Sequence, residues 1–206
     1  DPESEGACQE LAATLKALSR ERIGMELLNL LGLADPAPTI ARMAQLGVLD
    51  VILPEARPEA LTVLVAEERR QRVDPDALRR LAALLPPDPA LAEQVAARFR
   101  LSGAQKKRLA SAAARDGQAA NPRALAYRLG AEQACDRLLL CGQDIAPIRG
   151  WDIPLFPLKG GQIVARGVKA GPDVARILQT VESRWVAEGF PDAARVAALL
   201  DAVLAG

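Results

Sequence analysis

Apolar residues recur every three or four positions along most of the chain, which is the spacing of one buried face of an α-helix. Leu78, Leu81 and Leu84 mark one such face, and Leu91 and Val95 begin the next. The alternation that marks a strand is absent apart from a weak V-L-D-V-I-L at 48–53, which we interpret as a helix end followed by a loop. The pattern therefore predicts an all-α protein.

Residues that favour helix N-termini occur at the start of several of these predicted helices. Four dipeptides pair a capping side chain with a proline that suits the first helical turn: Asp35-Pro36, Asp74-Pro75, Asp88-Pro89 and Asn121-Pro122. Ser102 and Gln105 fit the S-x-x-Q capping box, in which each residue bonds the backbone N–H of the other. These signals predict a series of short helices joined by short loops.

Changes in the pattern divide the chain into three helical parts. Residues 1–57 are predicted to form two or three helices, and residues 58–145 a helical bundle. Residues 146–157 are predicted to be a linker, because the stretch from Gln143 to Pro157 holds three prolines and no clear period. Residues 158–206 are predicted to form a small C-terminal helical tail unit. The predicted fold class is an all-α helical bundle with this tail.

Composition agrees with one or two soluble helical domains, since half of the 206 residues are apolar and only 3% are aromatic. The net charge is zero, but it is unevenly spread. Residues 1–70 carry seven Lys/Arg and twelve Asp/Glu, whereas residues 98–137 carry nine Lys/Arg and three Asp/Glu. A basic stretch is typical of a protein with a polyanionic partner, although a solvated helical face gives the same pattern.

Several chemistries are excluded or disfavoured by residue content. The chain has no histidine, which excludes histidine acid–base catalysis and histidine metal ligands. Cys8, Cys135 and Cys141 form no CxxC, so we expect reduced thiols in a cytoplasmic protein, with Cys135 in the core. No signal peptide or long apolar run is present, so no membrane partner is expected. The first residue is not Met, and we expect a piece of a longer protein.

No active site is predicted from the carboxylates. Asp74 and Asp76 form a D-x-D, which can hold metal ions for phosphoryl transfer, but no strand or glycine-rich loop precedes it. We interpret Asp74 as the cap of the next helix. Glu67, Glu68 and Asp88 have no basic or nucleophilic partner nearby in sequence, and no phosphate-binding glycine loop or nucleophile motif occurs.

Residues 156–179, FPLKGGQIVARGVKAGPDVARILQ, predict a helical hairpin. Residues 158–166 and 172–182 have helical spacing, and Gly167 suits the left-handed position that ends a helix. Gly171-Pro172 suits a turn and a first helical residue, where free backbone N–H groups can bind phosphate. The layout is typical of a helix-hairpin-helix that holds nucleic-acid backbone, although a plain helical hairpin has the same pattern.

Two sets of cations are candidate phosphate contacts. One is spread along the hairpin: Lys159, Arg166, Lys169 and Arg176. The other, Lys106, Lys107 and Arg108, follows the Ser102 cap, where cations oppose the helix dipole. An unfavourable placement of this kind favours a functional explanation such as contact with phosphate, but a solvated first turn explains it as well.

Four segments, in order, resemble class II tRNA nucleotidyltransferases and their bacterial poly(A) polymerase relatives. "SRERIGMELLNLL", with Ser19, Glu21, Arg22 and Glu26, is similar to the family signature S-x-E-R-I-x-x-E-L. "MAQLGVLDVILPE" and "RFRLSGAQKKRL" resemble segments that follow it. "FPLKGGQIVARGVKAGPDVARIL" resembles the tail element, with Trp185 and Phe190-Pro191 in the expected places after it. The first and last segments are the specific ones.

The resemblance implies the neck, body and tail of such an enzyme, which hold the acceptor and T-arm side of tRNA near the RNA 3′ end. It implies that Glu21, Arg22 and Glu26 brace the nucleotide-selecting helix of an N-terminal head domain, a partner within the same protein. That head carries the metal-binding and nucleotide-binding motifs, none of which occurs here. We therefore expect no cofactor in this chain, Mg²⁺ with CTP or ATP in the head, and no nucleotide addition by this chain alone.

Two positions depart from the family pattern. Gln162 stands where the family has Asp, and Ala175 stands where it has Gly, so any role of that carboxylate is in doubt here. The sequence does not separate CCA addition from poly(A) addition and gives no oligomeric state. A second interpretation stays open: a helical protein-interaction scaffold without nucleic acid, whose acidic and basic stretches pair with each other or drive dimerisation.

Overall fold

The structure is a computed structural model that describes Gly6 and residues 19–115 and 121–205 of the chain. The described residues form twelve α-helices and one 3-10 turn at Ala146–Ile148, and no strand occurs among them. The helices are α1 Arg20–Leu31, α2 Ala37–Gln45, α3 Val48–Ile52, α4 Pro58–Arg70, α5 Ala77–Leu84, α6 Pro89–Arg98, α7 Gly103–Ala114, α8 Pro122–Leu129, α9 Ala131–Leu140, α10 Gly160–Val164, α11 Pro172–Ala187 and α12 Ala193–Ala205. The predicted all-α fold class is confirmed. None of these helices has the length and apolar content that a bilayer span requires.

Three of the predicted helix starts are confirmed by side-chain caps. The Asp88 carboxylate accepts from the backbone N–H groups of Ala90 and Leu91. Asn121 caps α8 in the same way. The box predicted at Ser102 is complete, because the backbone N–H of Ser102 donates to Gln105 Oε1 at 2.9 Å and that of Gln105 donates to Ser102 Oγ at 3.2 Å.

Two other starts differ from the prediction. Asp76, not Asp74, caps α5, and its Oδ1 accepts from the Arg79 N–H at 2.9 Å. Asp35 does not cap α2, because Pro36 holds the N-cap position and the Asp35 carboxylate instead lies 3.0 Å from Arg69 of α4. Asp76 also contacts Arg108 at 2.8 Å. Asp35 and Asp76 thus each form an ion pair with an arginine that is distant in sequence.

The segment at 48–53 forms a helix of its own, α3, where a helix end and loop were predicted. Gly47 precedes it with a φ of +71°, a left-handed conformation that glycine adopts at little cost. This turn lets α3 start again after α2 and buries Leu49 and Ile52.

The chain divides into two compact units. Unit 1 contains residues 1–118 and 132–147, and unit 2 contains residues 119–131 and 148–206. The units do not follow chain order, since α8 belongs to unit 2 and the next helix, α9, to unit 1. The division into segments 1–57, 58–145, 146–157 and 158–206 stays a prediction.

Unit 1 is built around an aliphatic core to which α1 to α7 contribute. α6 packs on α7, α5 packs on α1, α4 and α7, and α2 packs on α3 and α4. Gly24 in α1 is buried against Phe99, and a Cβ at this position would lie 2.6 Å from Phe99 Cβ. Glycine at this position of the S-R-E-R-I-G-M-E-L segment therefore permits the close approach of α1 to the end of α6.

A buried ion network lies inside unit 1. Glu68 of α4 accepts from the guanidinium groups of Arg79 and Arg80, each at 2.8 Å, and is 1% exposed. Arg79 also contacts Asp136 of α9 at 3.3 Å, and Asp136 is equally buried. Arg80 donates to the Leu31 carbonyl at 2.7 Å, at the end of α1. Each buried charge thus has an opposite charge within contact distance, as burial requires.

Unit 2 has a core of aliphatic residues packed with a cluster of aromatic rings. It contains five of the six aromatic residues of the chain, and Phe99 is the sixth. Trp185 is 2% exposed, and its ring centroid lies 4.9–5.5 Å from three other rings: Tyr127, Phe156 and Phe190. Its indole N–H donates to the Pro191 carbonyl at 2.7 Å. These contacts hold α8, α11 and the start of the α12 region together.

Acid is expected to weaken unit 1 through Glu55. Two hydrogen bonds from the Arg98 guanidinium, at 3.0 and 2.7 Å, lower the pKa of Glu55 below its ordinary value of 4.5. A carboxyl whose pKa is lower in the folded state stabilises the fold above the unfolded-state pKa, and this contribution is lost as pH falls through the folded-state pKa. Glu55→Gln is therefore expected to be less stable at pH 7, by about 1 kcal/mol or less for so exposed a pair. Urea unfolding at pH 7 and at pH 3.5 should show a smaller acid-induced loss for this variant, and an unchanged loss would contradict the assignment.

Candidate nucleic-acid interface

The predicted hairpin is present in unit 2, with shorter bounds at its first helix. α10 covers Gly160–Val164 and α11 begins at Pro172. Gly167, two residues after the Ala165 C-cap, has a φ of +92°, the left-handed conformation predicted for it. A Cβ on Gly160 would lie 3.3 Å from Val174 Cγ1, so this glycine lets the two helices approach closely.

Gln162 has a local structural role in this hairpin. Its Oε1 accepts the backbone N–H of Lys159 at 2.8 Å, which satisfies a donor ahead of α10. An aspartate here, as in the resembling family, is one methylene shorter. The departure from the family pattern therefore keeps an acceptor beside the start of α10 while removing a negative charge.

The hairpin cations are all exposed but differ in their partners. Lys159 and Lys169 have no ion pair within 4 Å among residues 19–115 and 121–205. Arg166 contacts Asp201, and Arg176 contacts Asp173 at 3.0 Å, with at least two-fifths of each side chain exposed. Exposed pairs of this kind contribute little and exchange readily for another anion.

The predicted start of α11 is exposed as well. Gly171 and Pro172 both lie at the surface, and Gly171 is the N-cap without a capping side chain. Asp173 in the first turn places a carboxylate beside the free N–H groups. A phosphate at this helix start would have to share the site with that carboxylate.

The second predicted set, Lys106, Lys107 and Arg108, lies on α7 in unit 1, so the two sets are on different units. Lys107 is exposed, and Lys106 contacts Glu93 at 3.3 Å. Arg108 is different, because its guanidinium is engaged by three carboxylates at 2.8–3.0 Å: Asp76, Glu132 and Asp136. This geometry favours a structural role for Arg108 over contact with a phosphate.

Part of the basic stretch at 98–137 is neutralised in the fold. Four of its nine cations contact carboxylates that lie elsewhere in the sequence, in the pairs Arg98–Glu55, Arg100–Glu21, Lys106–Glu93 and Arg108–Asp76. Arg115 donates to the Leu85 carbonyl. The net charge of each unit gives a different distribution from that along the sequence. Unit 2 carries nine Lys/Arg and six Asp/Glu, a net charge of +3, whereas unit 1 has a net charge of −3. The basic part of the molecule is therefore unit 2.

The predicted neck residues lie along α1. Ser19 is the N-cap without a side-chain cap bond, and Glu21 lies 3.7 Å from Arg100. Arg22 and Glu26, which are spaced to pair, form no ion pair within 4 Å in the described residues. Both instead line an apolar cavity of about 280 Å³ with apolar residues of α1, α2 and α3: Ile23, Leu27, Leu30, Met43, Val48 and Ile52.

Sequence reasoning missed a larger cavity in unit 2. It has a volume of about 590 Å³ and is lined by residues of α8, α11 and the segment before α10, among them Tyr127, Phe156 and Glu182. These residues are 29 and 26 positions apart in sequence, so no local motif marks them. The concentration of aromatic residues after position 126 was the available signal.

The other sequence candidates have structural contacts or lie outside the two sets. Asp76 caps α5 and contacts Arg108, and Asp74 contributes a carbonyl that accepts from Arg79. Cys135 and Cys141 are thiols of intermediate exposure, so the structure does not place Cys135 fully in the core, where it was predicted. Cys8 lies outside the described residues.

Comparison with known families supports an RNA-related function. Residues 1–59 match the family described as "Probable RNA and SrmB-binding site of polymerase A". No curated protein matches the chain. The family match covers α1, α2, α3 and the start of α4, which include the S-R-E-R-I-G-M-E-L segment. It supports RNA binding and a poly(A) polymerase-like C-terminal region.

Proposed function

We propose that this chain is the RNA-binding C-terminal region of a template-independent nucleotidyltransferase that adds CCA or poly(A) to RNA 3′ ends. The observation that carries the proposal is the match of residues 1–59 to the polymerase A RNA-binding family. The hairpin in unit 2 and the net charge of +3 on that unit add support, because polyanion binding needs exposed cations.

The proposed RNA is the acceptor and T-arm of tRNA. Double-stranded RNA hides its base edges in a deep, narrow major groove, so phosphate and 2′-hydroxyl contacts carry its recognition. Lys159 and Lys169 are the strongest candidates, since each is exposed without an ion pair in the described ranges. Lys107 offers a further contact on unit 1.

The nucleotidyl transfer itself is proposed for a head domain of the same protein, with Mg²⁺ and CTP or ATP. Among the described residues, no group of three or more Cys, Asp or Glu side chains is arranged to hold a metal ion. Arg22 and Glu26, at the rim of the apolar cavity on α1, are proposed to support the head rather than to touch nucleotide. Cytoplasmic localisation is part of the same proposal.

Replacement of Lys169 by glutamate is the direct test. Lys169→Glu removes one phosphate contact and adds a repelling charge, so we expect weaker tRNA binding and a salt slope reduced by about one ion. The measurement is the Kd for tRNA, determined by fluorescence anisotropy at salt concentrations from about 50 to about 300 mM. Counterion release controls the change of affinity over roughly this range of salt.

Arg42→Glu is the matched control. Arg42 is exposed on α2 of unit 1, and its reversal changes the net charge by the same amount. If both variants bind alike, the hairpin is not the contact and bulk charge explains the effect. If the unaltered chain ignores tRNA at low salt and light scattering shows a dimer, the interaction-scaffold alternative replaces the proposal.

A further inference from the structure

A cavity lies within unit 2, and no residue of the hairpin connector lines it. Its volume of about 590 Å³ is in the range of small-molecule sites, roughly 300–1,000 Å³. Its apolar lining residues are Ile153, Pro154, Leu155, Phe156 and Val186. Its polar lining residues are Tyr127, Arg128, Gln179, Glu182 and Ser183. A cavity with both kinds of lining suits a ligand that has a flat apolar face and a polar edge.

The polar lining residues include one carboxylate, that of Glu182. The Tyr127 hydroxyl donates to Glu182 Oε1, which fixes the position of the Glu182 side chain. Burial and then this carboxylate raise the pKa of Tyr127 to about 12, so the hydroxyl keeps its proton at neutral pH. Glu182 Oε2 has no hydrogen-bond partner in the described part of the chain. The pair thus presents a positioned acceptor whose charge no cation within 4 Å neutralises.

Most of the apolar lining comes from the segment without helix that precedes α10. Leu155 is 91% exposed and Ile153 is 36% exposed, which is unusual for large apolar side chains. Phe156 is half-buried behind them, with its ring centroid 5.1 Å from that of Trp185. An aromatic ring held in place by a second ring is a good platform for stacking of a planar group.

Arg128 stands at the edge of the same cavity. It is exposed, and no carboxylate lies within 4 Å of it among the described residues. A fork of guanidinium donors without a partner suits a phosphate, which Arg can bind through two parallel hydrogen bonds. The cavity therefore combines an acceptor, a stacking face and a phosphate donor within one unit.

We propose that this cavity binds an unpaired nucleotide of RNA, with guanine as the preferred base. Guanine offers two neighbouring N–H donors on its Watson–Crick edge, which match the two oxygens of the Glu182 carboxylate. Uracil offers one N–H between two carbonyl oxygens, which the carboxylate would repel. Single-stranded recognition of this kind, with stacking and edge contacts, is how proteins read RNA sequence. The proposal rests on RNA binding as the proposed function and adds a base preference to it.

Short single-stranded RNAs test this preference. The probes are a nine-nucleotide oligouridine and the same RNA with one central guanosine, titrated against the full chain at one salt concentration. We expect the guanosine RNA to bind about tenfold more tightly, the low end for one bidentate base contact. Both tryptophans lie in unit 2, so their fluorescence gives a second, local signal.

Glu182→Gln and Glu188→Gln form a matched pair of variants. Glu182 lies within α11 and Glu188 is the C-cap of the same helix, and each change removes one negative charge. Glu188 contacts Arg195 and does not line the cavity. Glu182→Gln is expected to abolish the tenfold preference while leaving oligouridine binding as strong as in Glu188→Gln. Glu188→Gln is expected to keep the preference.

The outcomes separate this proposal from the function on which it rests. Equal binding of both RNAs by the unaltered chain overturns the base preference while leaving RNA binding intact. Loss of the preference in Glu188→Gln as well overturns the role of the cavity. Failure of any RNA to bind at low salt overturns the proposed function and this proposal together, and the tRNA titration distinguishes that case.

Discussion

Glu68→Gln is expected to lower the free energy of unfolding of unit 1 by about 3–5 kcal/mol. Glu68 is the shared acceptor of Arg79 and Arg80, each at 2.8 Å, and all three side chains are at most 5% exposed. A neutral amide of nearly the same shape leaves two buried guanidinium groups with one charge fewer between them. Removing one partner of a buried pair is costly because the remaining charge stays out of water.

Glu67→Gln is the matched control for this variant. Glu67 precedes Glu68 in α4, but its side chain is 16% exposed and pairs with the solvent-exposed Arg70 at 2.5 Å. An exposed pair contributes about 0–1 kcal/mol, so Glu67→Gln is expected to be close to the unaltered chain. The chemistry of the two changes is identical, but Glu67 is less buried than Glu68 and pairs with one arginine where Glu68 pairs with two.

Urea unfolding followed by far-UV circular dichroism measures both variants. A typical domain has about 5–15 kcal/mol of stability, so the loss at Glu68 should be a large part of the total. Tryptophan fluorescence reports unit 2, which contains both tryptophans, and it separates a local effect in unit 1 from a general one. Equal midpoints for the Glu67 and Glu68 variants would show that the buried network does not stabilise the fold.

Trp185→Ala is expected to lower the free energy of unfolding of unit 2 by a similar amount, about 3–5 kcal/mol. The indole is 2% exposed and contacts three aromatic rings, so its removal leaves a large cavity between α8 and α11. The Pro191 carbonyl also loses its donor at 2.7 Å. Loss of the partner of this partly buried acceptor adds to the cost of the cavity.

Trp151→Ala provides the comparison. Trp151 is half-buried and contacts Phe190 and the Arg123 guanidinium, with centroid distances of 5.1 and 5.4 Å. Trp151→Ala removes less buried apolar surface than Trp185→Ala, so we expect it to lower the free energy of unfolding by less than half as much. Each variant keeps one tryptophan in unit 2, and the fluorescence of that residue measures unfolding in urea. A larger loss at Trp151 would mean that Trp185 is not the centre of this core.

Features set by neighbours in sequence were predictable. The caps at Asp88, Ser102 and Asn121 each bond a backbone N–H two or three residues away, so a short motif contains both partners. Gly167 is similar, because a helix end alone determines its positive φ. The hairpin in the tail was found for the same reason, since its turn residues and its two apolar faces are contiguous.

Features set by distant partners were not predictable. Glu68 reaches residues 11 and 12 positions away, and Arg79 reaches Asp136 at a separation of 57. The carboxylate of Asp76 was not predicted to be a cap or part of an ion pair. Its partner Arg108 lies in α7, far away in the sequence, so no local motif contains both residues. For the same reason, residues 98–137 were interpreted as a basic surface. Acidic residues from elsewhere in unit 1 form ion pairs with several of these cations.

The bond from Arg80 to the end of α1 bears on how the N-terminal segment can be handled in the laboratory. The segment that matches the RNA-binding family ends at residue 59, yet the carbonyls of Leu31 and Leu33 accept from Arg80 in α5. Leu27 and Leu31, on the same helix, belong to the core shared with α4, α5 and α6. A peptide of residues 1–59 would therefore expose its apolar face and lose these donors, so the matched segment is a unit of homology and not of folding. Binding experiments on that peptide alone would measure an unfolded chain.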